Sequence, residues 1–141
     1  MEGKAKALAN NNAKDGAAFR TDYAKKSGVK KTDSGLLYRV LSAGKGAKPA
    51  ATDTVKVNYR GTLPDGTEFD SSYKRGEPVS FQVNQIIPGW QEALALMPEG
   101  SKWEVVLPPE LAYGTEGAGR AIGPNQTLVF EIELLDIEPG K

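Results

Sequence analysis

Apolar positions change their spacing near residue 34, and the change separates two kinds of local structure. From Lys4 to about Lys26 the chain has no proline and one interior glycine, Gly16. Phe19 and Tyr23 stand four residues apart with Ala24 beside them, which predicts a helix with one apolar face. Asn10, Asn11, Asn12 and Gly16 weaken its middle, because each has low helix propensity. A helix this polar needs a partner surface. Gly28 is a stop signal, and Val29 to Thr32 reads as a linker.

Beyond Ser34-Gly35 a two-residue alternation takes over. Leu36 to Leu41 predicts a first strand. Thr54 to Leu63 predicts a second, with Val55, Val57 and Tyr59 on one face and Lys56, Asn58 and Arg60 on the other. Pro64-Asp65-Gly66 is a turn, proline presetting a negative φ and glycine accepting a positive one, and Thr67 to Ser71 returns as the paired strand. Val79 to Val83 is a further short strand after the turn Arg75-Gly76-Glu77-Pro78. Trp90, Ala93, Leu94 and Met97 then recur at helical spacing, with Gln91 and Glu92 in the first turn and Pro98 and Gly100 as the stop. Lys102 to Leu107 and Thr127 to Ile137 are the last strands, the latter setting Phe130, Ile132 and Leu134 against Glu131 and Glu133. Ala112 to Gln126 between them is a glycine-rich loop. Several strands around one solitary helix make an α+β pattern and not a βαβ repeat.

Composition bounds this picture. A length of 141 residues holds one domain and an extra element. The formal charge of zero hides an asymmetry: residues 1–31 carry eight Lys/Arg against three Asp/Glu, and residues 32–141 carry ten against fifteen. The basic leader has no arginine cluster or interleaved aromatics, so it reads as a solvated helix face and not as a nucleic-acid site. The chain has no cysteine and no histidine. Disulfides, thiol nucleophiles, Cys-ligated zinc and the commonest general base are thereby excluded, which leaves unusual or non-covalent chemistry. No apolar run reaches the length of a membrane span, and the N-terminus lacks the apolar core of a secretory signal. A cytoplasmic protein and an exported one whose signal has been removed both fit.

Three features are candidates for chemistry. The run Gly117 to Gly123 looks like a phosphate cradle, but its spacing is not GxGxxG, and Pro124 followed by a strand stands where a helix N-terminus is needed. It reads as a turn-rich flap. Asp70 ends a hairpin strand near Ser71, Ser72 and Arg75, without the partners of a metal site or an acid/base pair. It is either a turn carboxylate held by Arg75 or by backbone amides, or a carboxylate that positions tyrosine and arginine beside an apolar pocket. Trp90, Tyr59, Phe81, Tyr113 and Phe130 are ordinary core aromatics when taken singly, but they lie on different elements that can converge on one concavity.

In order along the chain, VNYRGTL (residues 57–63), DGTEFDSS (65–72), IPGW (87–90), LPPELAYG (107–114) and TLVFEIELL (127–135) resemble the signature segments of FKBP-type prolyl isomerases over about residues 34–138. The stretch from Phe19 to Leu41 further resembles the bacterial Mip-like subgroup, whose members are dimers with a helical N-terminal module joined by a long helix. The resemblance implies an FKBP-like α+β fold, a twisted antiparallel sheet of about five to six strands wrapped around one short helix and preceded by an N-terminal helix. It divides the chain into a helix and linker over 1–31, part of the connecting helix, and an isomerase domain over 32–141. A homodimer is implied only where the whole N-terminal module is present.

By position, the resemblance implies a pocket of Tyr59, Phe69, Asp70, Trp90, Tyr113 and Phe130, with Arg75, Val79, Phe81, Ile86, Ile87 and Ile122 binding substrate. Trp90 is implied as the floor beneath a proline ring. The Tyr113 hydroxyl and Ile87 amide are implied as donors to peptide carbonyls, and Asp70 lies at the polar rim. Val79 stands where small eukaryotic members often carry an aromatic, Ala118 replaces a flap histidine, and the segment before Pro88 is shorter. The implied activity is isomerisation of X-Pro bonds in peptides and unfolded proteins, with no cofactor or metal, and the implied inhibitors are tacrolimus and rapamycin. The same cleft in a chaperone-type binding module is the alternative. The periplasm is the compartment the subgroup suggests, with the cytoplasm as alternative.

Overall fold

The structure, a computed structural model, describes residues 2–50, 52–64, 66–114, 117 and 122–138, with side chains except those of residues 2–11 and 75. Helix α1 runs over Glu2–Ala24 and is followed by strands β1 (Lys30–Lys31), β2 (Leu37–Ser42), β3 (Thr54–Thr62) and β4 (Glu68–Ser71). A short helix α2 (Ser72–Arg75), strand β5 (Val79–Gln82), helix α3 (Pro88–Leu96), and strands β6 (Lys102–Leu107) and β7 (Leu128–Glu138) complete the order. One antiparallel sheet of seven strands results, in the order β1-β2-β6-β7-β3-β4, with β5 pairing the first half of β3 and β4 the second.

The alternation of β3 is realised as read: Val55, Val57 and Tyr59 are buried, and Lys56 and Arg60 are exposed. On β7, Phe130, Ile132 and Leu134 are buried. The register then shifts, Lys56 facing Asp136 and Val57 facing Leu134, so Leu135 is the extra residue of a β-bulge. Leu135 stays on the exposed side, and beyond the shift it is Ile137 that faces Val55 and packs against the main core.

The sheet buries both faces. On one, Trp90, Ala93 and Leu94 of α3 join Val57, Val105, Leu128 and Ile132 in the main core. Pro88 starts α3 two residues before Trp90, where its missing N–H costs no hydrogen bond. The carboxylate of Glu92 accepts from the Thr32 and Ser34 hydroxyls and so ties α3 to the turn between β1 and β2. On the other face, Tyr23 of α1 packs with Leu37 and Val106, flanked by Phe19, Val29 and Val129. This is the partner surface that so polar a helix requires.

Two local expectations are corrected. The segment Val29 to Thr32 is not only a linker, since Lys30 and Lys31 pair with Tyr38 and Leu37 as the edge strand β1. The strand number accordingly exceeds the five to six expected. Ser72–Arg75, which joins the hairpin to β5, is helical and ends on Gly76 at φ 76°.

Candidate active site

Where α3 begins, the chain builds a rim. The Ile87 carbonyl accepts the N–H groups of Trp90 and Gln91, and the Gln91 side-chain amide donates to the Ile86 carbonyl at 2.6 Å. These bonds fix the approach to the helix and aim Trp90 inward. Its indole is buried and met edge-on by three rings, with centroid distances of 5.2 Å to Tyr59, 5.5 Å to Phe81 and 5.2 Å to Phe130. Such near-perpendicular packing sets the positive edge of one ring toward the negative face of the other and favours this arrangement.

Gly61 permits the wall beside it. A Cβ there would lie 2.6 Å from Cζ of Phe69 and 2.9 Å from Cε1 of Phe130, so only glycine lets these two rings close to 5.5 Å across β3. Asp70 faces Gly61 from β4. Its Oδ2 accepts the Tyr59 hydroxyl and its Oδ1 the Ser71 N–H. The Ser72 hydroxyl oxygen accepts the Tyr59 N–H at 2.8 Å, which anchors the other end of the tyrosine.

These side chains enclose an open cavity of about 320 Å³. Tyr59, Phe69, Asp70, Phe81, Ile86, Ile87, Trp90, Tyr113 and Phe130 line it together with Gln85. The structure thus brings residues from β3, β4, β5, α3, β7 and two loops to one concavity. Tyr113 sits at the exposed mouth, on the loop after the short 3₁₀ turn Pro109–Leu111. Val79 and Ile122 pack into the adjoining core and are not in the lining. The side chain of Arg75 lies outside the described residues, as does Ala118. Gln85 is the lining residue that sequence reasoning missed. It is an exposed polar residue on a single 3₁₀ turn, and its one signal is adjacency to Ile86.

The cavity is chemically simple: aromatic floor and walls, a hydrogen-bonded carboxylate on one side and a phenol at the mouth. Among the described residues no cluster of acidic side chains suits a metal ion. Among the described residues no helix is long and apolar enough to cross a membrane.

Comparison with known proteins addresses the same residues. The family model for FKBP-type peptidyl-prolyl cis-trans isomerase matches residues 45–135, and that for the domain amino-terminal to it matches residues 1–40. The 22 kDa FKBP-type peptidyl-prolyl cis-trans isomerase of Escherichia coli is 59% identical over 89% of this chain and 61% of its own length. The outer membrane protein MIP of Legionella longbeachae is 52% identical over 92% of this chain and 56% of its own. The crystal structure of FkpA from Escherichia coli superposes with a TM-score of 0.96 at 50% identity, covering 99% of this chain and 65% of that one. The chain spans 61% and 56% of the lengths of these two curated relatives. With most of its length matched by the catalytic family model, and its aromatic cavity inside the matched residues, the chain belongs to the FKBP-type peptidyl-prolyl cis-trans isomerases, an isomerase family with Mip-like relatives.

Proposed function

We propose that this chain catalyses cis/trans rotation about X-Pro bonds in peptides and unfolded proteins, using the cavity over Trp90. The observation that carries the reading is the ring cage: an indole floor met edge-on by Tyr59, Phe81 and Phe130, open on one side to a flat, apolar guest. A proline ring has that shape. Tyr113 at the mouth and the Ile87 N–H, which donates to no group among the described residues, are the donors for peptide carbonyls. Asp70 holds the Tyr59 hydroxyl and keeps that ring upright. Ile122 and Val79 support the cage from behind, and Arg75 is assigned to substrate binding from the family resemblance alone.

The chemistry needs no nucleophile. Rotation must overcome about 18–20 kcal/mol because it breaks amide resonance. In the twisted state the nitrogen is pyramidal and the charge separation of the planar amide is reduced. A water-poor aromatic cavity disfavours the planar, dipolar amide more than the twisted one, so burial is stronger in effect for the transition state. A hundredfold acceleration requires about 2.7 kcal/mol of such differential stabilisation, which desolvation in the cage supplies, while the Tyr113 hydrogen bond holds the peptide in both states. The absence of histidine and cysteine is consistent with that route.

A prolyl-peptide isomerisation assay tests the reading. Wild type is expected to accelerate the reaction and to be inhibited competitively by tacrolimus and rapamycin, whereas Tyr113→Phe and Asp70→Ala lose about tenfold in kcat/KM, the scale of one hydrogen bond. Protection of unfolded protein from aggregation with no acceleration would identify a chaperone-type binding module instead. We place the isomerase unit at residues 32–141, and the helix with the segment that carries edge strand β1 at 1–31. We assign the protein to the periplasm, supported by its likeness to a relative named as an outer membrane protein; recovery only in the cytoplasmic fraction would overturn this. Dimerisation is reserved for forms with a whole N-terminal module. Sedimentation of the 141-residue chain is expected to give a monomer, and a concentration-dependent dimer would contradict this.

A further inference from the structure

We propose that Asn12 of α1 is a positioning residue for the site, acting through the turn at Pro124-Asn125 on the loop that carries Tyr113. The proposal rests on the isomerase reading above. The Asn12 side-chain amide donates to the Pro124 carbonyl at 2.9 Å, linking the helix to the turn just before β7. The next residue, Asn125, has φ 55°, a left-handed turn conformation that asparagine adopts more readily than other residues with a side chain. Its N–H donates to the Gly114 carbonyl at 2.8 Å, and the Gly114 N–H donates to the Pro109 carbonyl at 2.9 Å. Gly114 adjoins Tyr113 at the cavity mouth. A short run of hydrogen bonds therefore connects a helix on the far face of the sheet to a donor of the site.

A second contact governs whether Asn12 can reach. One helical turn onward, Gly16 lies against Thr127, where an added Cβ would come within 2.3 Å of the threonine Oγ1. Thr127 is fully buried, and its hydroxyl has no hydrogen-bond partner among the described residues. The seat is too close for any side chain at position 16. Asn12, Gly16, Phe19 and Tyr23 thus form one stripe at spacings of four, three and four residues. Its C-terminal end is fixed by the Tyr23 hydroxyl on Glu104 and its N-terminal end by Asn12 on Pro124.

A hydrogen bond from Tyr113 to a peptide carbonyl is made in both ground and transition states, so misplacing it acts on KM more than on kcat. Asn12→Asp keeps the size of the side chain and removes the donor. It is expected to raise KM for a prolyl peptide about threefold to tenfold at nearly unchanged kcat, and to speed solvent exchange of the Asn125 N–H in NMR spectra. Gly16→Ala, which lifts the stripe, should produce the same pair of changes, and Thr127→Ala added to it should reverse most of both. Asp15→Asn, exposed on the helix, should leave both at wild-type values. Wild-type KM and wild-type Asn125 exchange in Asn12→Asp would overturn the proposal, whatever happens to the melting temperature. Should wild type show no turnover, the isomerase reading fails separately, and exchange at Asn125 alone decides the coupling: faster supports it, unchanged overturns it.

Discussion

At the scale of the residue, the site depends on one position that carries no chemistry. Gly61 pairs with Phe130 and Asp70 on its two sides and admits the rings of Phe69 and Phe130 where a Cβ would stand. Gly61→Ala must push one ring toward the cavity or move the backbone of β3. Overpacking of this kind costs about 1–3 kcal/mol, so the variant should unfold at lower denaturant concentration and lose turnover together. Full stability and full turnover in Gly61→Ala would show that the wall is looser than this geometry requires. The aromatics themselves were legible in the sequence as candidates because they recur on separate elements. Gln85 was not, since a polar residue on one 3₁₀ turn leaves no periodic trace.

At the scale of the element, patterns of burial were readable and patterns of approach were not. Strands β3 and β7 and helix α3 announced themselves because each presents one apolar face at its own period. Strand β1 is two exposed lysines held only by backbone pairing with β2, so no side-chain alternation marks it. Gly16 is the sharper case. Its low helix propensity reads as a weakness along the chain, yet there α1 lies so close to Thr127 that a Cβ has no room.

The docking of α1 also makes a pH prediction. Burial, with the Glu104 carboxylate beside it, raises the pKa of Tyr23 above its ordinary value of 10.0. The folded state then holds the phenolic proton in a range where the unfolded chain has released it, so this contribution is complete below pH 10 and declines as pH rises above it. Denaturation measured from neutral to strongly alkaline pH should show wild type losing more stability than Tyr23→Phe above that point. Parallel curves would mean that the phenol is not held as described.

At the scale of the whole molecule, the sheet serves two helices with different tasks. One face carries α3, whose first turn forms the rim and floor of the cavity, and the other carries α1, whose apolar stripe is already occupied by the chain's own strands. The fold brings five elements and two loops to one aromatic cage, and the cage supports a reaction driven by environment without a reactive side chain. Two-dimensional exchange NMR of a short Ala-Pro peptide with catalytic amounts of protein tests that account most directly. Wild type should produce cis/trans exchange cross-peaks on a timescale where the peptide alone shows none, and folded Trp90→Leu should lose them at the same peptide concentration. Undiminished exchange with Trp90→Leu, or none with wild type, would contradict the claim that the cage over Trp90 drives the rotation.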